Sequence, residues 1–136
     1  MVRVEDRGEG KFDTLTKALK LASYAIDITD NKKVFVPEHA KTTEQIVFLA
    51  RDIYHKARVA NNIRVGDDKE LLMERRRLQN EAIEECDQLL SEIQIAKLLF
   101  HLRTKRVKHW GGMVEDLKGY LRNWRESDAD RFRKKR

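Results

Sequence analysis

Residues 78–100 read LQNEAIEECDQLLSEIQIAKLLF, and this stretch decides the fold. Its apolar positions, Leu78, Ala82, Cys86, Leu89, Ile93, Ala96 and Phe100, recur in steps of three and four. That spacing keeps one face of a helix apolar. A second stripe follows after a short basic connection: Val107, Trp110, Val114, Leu117, Leu121 and Trp124. Two such stripes in succession predict a helical hairpin.

Working outward, the helix that carries the first stripe starts near Asp67-Asp68, which are good capping residues at the positive end of a helix dipole. It extends to about Leu102 with no internal Gly or Pro. The following helix is expected from Thr104 to Ser127, with Gly111, Gly112 and Gly119 inside it. Those glycines cost about 1 kcal/mol each and point to close helix approach or a kink.

Upstream, Phe12, Leu15, Leu19, Ala22 and Ile26 form a stripe over about 12–29, widened by Ala18, Leu21, Ala25 and Ile28. Val34-Phe35-Val36-Pro37 is short and extended, with Phe35 read as a plug at the bundle end. A second helix is expected from Thr42 to Asn62, capped by Thr42 or Thr43, with Ile46, Leu49, Ile53, Ala57 and Ala60 inward. The fold class is therefore all-α, an antiparallel up-down four-helix bundle over residues 11–127. Residues 1–10 read as a flexible lead-in and 128–136 as a basic C-terminal tail.

A chain of 136 residues fits one domain and is long enough to bury a core without staples. The start of the chain has no apolar run of the signal-peptide type, and no stretch is apolar enough to span a membrane. The single cysteine, Cys86, lies on the apolar stripe and reads as a small core filler. A soluble protein of the reducing cytoplasm is expected.

The net charge of +6 is unevenly spread. From Arg103 to Arg136 there are twelve Lys/Arg against five Asp/Glu, so this quarter carries +7 and the rest −1. Such asymmetry points to nucleic acid or an acidic protein surface. The competing interpretation is a solvated helix with a solubilising tail.

The candidate phosphate-binding residues are Arg75, Arg76 and Arg77 early in the third helix, and Lys105, Arg106 and Lys108 at the head of the fourth. Arg122 and Arg125 lie near its end, and Lys56, Arg58 and Arg64 lie at the end of the second helix. In an antiparallel bundle the last two groups share one pole with Arg75–Arg77, and the loop before Lys105 forms the other. For Arg75–Arg77 the alternative is ion pairing with Glu70, Glu74, Glu81 and Glu126. Trp110 and Trp124 read as core or subunit packing rather than base stacking.

Catalytic signals are weak. Asp52-x-x-His55 is a single copy on a polar face, not the paired Glu-x-x-His set of a di-iron bundle, and no metal or cofactor is expected. No glycine-rich phosphate loop occurs. Arg103 and His109 resemble the Arg-x(4–6)-His motif of HEPN ribonucleases, with His109 as acid or base and Arg103 stabilising the phosphorane.

A broader resemblance covers nearly the whole chain. Arg75-Arg76-Arg77-Leu-Gln79, Ala82, Leu89-Leu90, Ile93-x-Ile95-Ala96, Trp110 and Leu121-x-x-Trp124-x-x-Ser127-Asp128 resemble the accessory variability determinant proteins of diversity-generating retroelements. The segment from Val2 to Phe12 and the Phe35-x-Pro37 link are similar too. This family is related to four-helix-bundle proteins encoded in ribosomal RNA intervening sequences. The resemblance implies a non-enzymatic accessory protein, assembled as a homopentameric ring. It implies as partners the element's reverse transcriptase and template RNA, or DNA or an RNA/DNA hybrid, in mutagenic copying. Arg122-Asn123 stands where many relatives carry glycines, so a different packing of the last helix is expected there.

Overall fold

The computed structural model describes residues 4–133, with side chains from Asp13 onward. Helix α1 spans Val4–Thr29, a 3-10 turn spans Pro37–His39, and α2 spans Ala40–Asn62. Helix α3 spans Lys69–Leu99 and α4 spans Thr104–Arg133. Short links force neighbours antiparallel, as the sequence predicts. Each helix packs on its chain neighbours and α1 also packs on α4, which closes a four-helix bundle. Leu21, Ile46, Leu49, Ile53, Leu89, Ile93, Trp110, Leu117 and Leu121 are fully buried at its centre.

The α3 and α4 stripes lie inward as their spacing requires. Asp68 caps α3, its Oδ1 accepting from the amides of Glu70 at 2.9 Å and Leu71 at 3.3 Å. The preceding turn needs a left-handed residue, and Gly66 supplies it at φ 55°. Phe35 is the expected plug, buried with its ring 4.7 Å from Phe100 and 6.4 Å from Trp110.

Four expectations are corrected. In α1 the inward face is Ala18, Leu21, Ala22 and Ala25, while Leu19 and Ile26 are exposed. Two overlapping apolar stripes compete there, and the alanine-rich one is buried in the core that also holds Ala50, Ala57 and Ala60 of α2. In α2 neither Thr42 nor Thr43 caps the helix. Pro37, with its fixed φ, starts a helical turn earlier, and Thr43 is buried with its hydroxyl unpartnered among the described residues.

At the chain ends, α1 already runs from Val4 and α4 continues to Arg133, so residues 4–10 and 128–133 are helical. The remainder of the expected lead-in, 1–3, and of the tail, 134–136, lies outside the described residues. No proline interrupts either extension, and a glycine costs a helix about 1 kcal/mol without ending it.

The glycines of α4 do not serve a close helix approach. A Cβ at Gly111 would meet Leu90 at an ordinary 3.8 Å, and at Gly112 or Gly119 it would meet nothing. Gly112→Ala and Gly119→Ala should therefore each raise stability by about 0.5–1 kcal/mol. The urea midpoint checks this, and a lower midpoint would mean that some contact needs the missing side chain.

Candidate nucleic-acid interface

The two poles of the bundle treat their cations differently. At the pole where α2 ends and α3 begins, several candidate residues are consumed by the fold. Arg75 is 3% exposed and cannot reach a phosphate. Its Nε and Nη2 donate to the Asp128 carboxylate at 2.7 and 2.8 Å, and its Nη1 donates to the Ile63 carbonyl at 3.3 Å. Gln79 donates to the same carboxylate at 2.8 Å, and the guanidinium lies 5.2 Å over the Trp124 ring. Arg75 is thus a tie between α3, the end of α2 and the last turns of α4. Its assignment to phosphate binding is overturned by burial.

Arg77 is exposed but paired with Glu74, and with Glu81 at 2.5 Å. The guanidinium holds both carboxyls below their usual range. Lys56 bridges Asp52, Glu81 and Glu85 at 3.1–3.4 Å across the α2–α3 seam. These two cations are neutralised in place, so the ion-pairing alternative holds for them. Arg58 is exposed, donating to the Tyr54 hydroxyl at 3.3 Å, and Arg125 is half-buried, donating to Asn80 at 2.9 Å. Arg64, Arg76 and Arg122 are exposed with no ion pair among the described residues.

The same seam shifts the titration of two carboxyls. Burial pushes the Glu85 carboxyl from its ordinary 4.5 up to about 7, aided by its hydrogen bond with Asp52. Asp52 moves the other way, held down by that hydrogen bond and by Lys56. Folded Glu85 keeps its proton to higher pH than unfolded Glu85. Its contribution to stability is therefore full below pH 4.5 and lost as pH rises to about 7. The slope in this window reaches at most ~1.4 kcal/mol per pH unit. Glu85→Gln removes the titration, so stability measured across the window should flatten. A Glu85→Gln curve parallel to the wild type would rule out this assignment.

At the opposite pole the cations are unclaimed. Arg103, Lys105, Arg106 and Lys108 are all exposed, and none has an ion pair among the described residues. The first turn of α4 holds no acid, so these charges crowd the positive end of its dipole. An arrangement that disfavours the isolated helix suits a bound polyanion.

Residues absent from the sequence-based set join them. The α1–α2 link arrives at this same pole, and Lys33 and His39 from it line one cleft with His101, Arg103 and Arg106. The signal was available, because in an up-down bundle the first and third links must share a pole. His101 is set by the end of α3. The amide of Leu102 donates to the Lys97 carbonyl at 3.1 Å, a closure that puts His101 at φ 54°.

His109 is not among the residues that line this cleft; its ring meets Tyr24 edge-on at 5.4 Å. The cleft therefore does not bring the two residues of the ribonuclease-like spacing together. Trp110 and Trp124 are buried, which places both in core packing, and each indole N–H lacks a partner among the described residues.

Asp52 is engaged with Lys56 and lies apart from any metal-ligand set: the described residues contain no group of three His, Cys, Asp or Glu able to hold an ion. Burial pushes the Cys86 thiol up to about 12, so it is a core filler with little thiolate. No helix among the described residues is long and apolar enough to cross a membrane. In comparison with known proteins, no family model, curated protein or solved structure matches the chain.

Proposed function

We propose that this bundle is a non-enzymatic accessory protein that grips a nucleic-acid strand by its phosphates and presents it to a polymerase. The partners implied by the sequence resemblance are the reverse transcriptase and template RNA of a diversity-generating retroelement, in the cytoplasm. One observation carries this reading: four exposed cations, Arg103, Lys105, Arg106 and Lys108, stand at one pole without an ion pair among the described residues. Arg76 and Arg122 extend the basic surface elsewhere.

A rigid scaffold is the useful property. Phosphate contacts fix the position of a strand without reading its sequence, and a well-packed bundle holds them at constant spacing. Large apolar side chains left outside the core, Leu98 at 77% and Phe48 at 57% exposure, supply surface for protein contact. They are consistent with the ring of five copies that the resemblance implies.

Co-expression with the polymerase and its template RNA tests the proposal. A complex of all three components that survives gel filtration, with the RNA intact, is the expected result. Light scattering on the protein alone should report five copies. A protein that co-purifies with neither component contradicts the proposal, and RNA shortened in a His109-dependent manner would replace it with strand cleavage.

A further inference from the structure

The cleft at the α3–α4 pole is larger and more varied than backbone gripping needs. This open cleft has a volume of about 860 Å³, lined by residues from the end of α1 to His39 and from the end of α3 to Arg106, within the range of small-ligand pockets, about 300–1,000 Å³. Its floor is apolar: Phe35, Phe100 and Leu102 are buried beneath it, with half-buried Val36 and Leu99 beside them. Around it stand Lys33, Arg103 and Arg106, three cations from the α1–α2 link, the α3–α4 link and the first turn of α4, against one carboxylate, Asp27. Two exposed imidazoles, His39 and His101, complete the wall, and the His39 ring meets Phe100 edge-on at 5.8 Å.

We propose that this cleft receives one unpaired nucleotide of the bound strand, its phosphate on Lys33, Arg103 and Arg106 and its base against the apolar floor and the imidazoles. The inference rests on the nucleic-acid reading above and narrows it to single-stranded substrate. A duplex keeps its bases stacked inside and presents only phosphate and groove edges, which exposed cations could meet on a flat surface. A concave site lined by both apolar side chains and cations matches an exposed base with its own phosphate.

His101 supports this assignment. It is the one non-glycine residue with positive φ among the described residues, at a helix end where glycine is unstrained. Its side chain stands on the cleft wall. Backbone strain of this kind concentrates at binding sites.

Charge density alone makes the opposite prediction. A duplex carries more phosphate charge per length than a single strand and releases more condensed counterions on binding, so a purely electrostatic surface binds duplex more tightly. The experiment is a titration of the full chain with a short labelled RNA strand and with the duplex of the same sequence, at equal ionic strength. Preference for the single strand by roughly tenfold is expected. Val34 is exposed at the cleft, and Val34→Trp narrows it without removing a charge. In that variant the preference should collapse toward unity, with thermal melting confirming that it is folded.

Equal or tighter binding of duplex by the wild type overturns the cleft assignment and leaves nucleic-acid binding standing. A preference unchanged in folded Val34→Trp also overturns it. Binding of neither strand nor duplex overturns both this inference and the function on which it rests.

Discussion

Asp128→Ala is expected to destabilise the fold by about 3–5 kcal/mol, the largest effect of any single substitution considered. The carboxylate is 3% exposed and accepts from Arg75 twice and from Gln79 once. Without it, the Arg75 guanidinium stays buried with one hydrogen bond, to the Ile63 carbonyl. An unpaired buried cation costs far more than the pair is worth in net stability. The loss should lower the melting midpoint by roughly 10–15 °C.

Two further readouts separate this from generic damage. The urea m-value should stay constant if only stability changes. Replacing both partners by apolar residues, Arg75→Met with Asp128→Leu, should recover much of the loss, because neither buried charge remains. A loss below about 1 kcal/mol in Asp128→Ala would show that the pair is not desolvated as described.

The second large effect is on binding. Neutralising Lys105, Arg106 and Lys108 together to Gln should weaken RNA affinity about 100-fold at moderate salt, taking at least about 1 kcal/mol per charged contact. Stability should move the other way. These three cations sit at the positive end of the α4 dipole with no acid in the first turn. Removing them relieves repulsion of about 0.3–1 kcal/mol each. A more stable protein that binds RNA less well is the signature of a surface retained for a ligand. If both stability and affinity fell, the lysines and arginine would be structural instead.

The two predictions concern residues that the sequence presents alike, and burial is what divides them. Arg75 lies three residues before Leu78 and seven before Ala82, so it continues the apolar stripe of α3. Asp128 lies four after Trp124 and seven after Leu121, continuing the stripe of α4. The helical period therefore marked both as inward, although as a run Arg75–Arg77 looks like surface charge. Arg76 and Arg77 lie off that stripe and are exposed.

The long stripes of α3 and α4, the Asp68 cap and the Phe35 plug were legible because each depends on local chemistry or on one period. The inward face of α1 was not, since Leu19 and Ala18 offer competing apolar stripes and only the neighbouring helices choose between them. Nor was the start of α2, because Pro37 begins the helical path before the expected Thr42 or Thr43 cap. The cleft depends on two links more than sixty residues apart meeting at one pole. Spacing within a helix carries no information about such an encounter.

The account depends on cations at the α3–α4 pole being available to phosphate. The direct measurement is the affinity of the purified protein for a short RNA as a function of salt, for the wild type and for the Lys105→Gln/Arg106→Gln/Lys108→Gln variant. Tight binding at low ionic strength is expected, with affinity falling as salt rises. The slope of log affinity against log salt should be shallower by about 2 in the variant, about 0.7 per lost phosphate contact on a single strand. Slopes that coincide, or no binding by the wild type at low salt, would contradict the account.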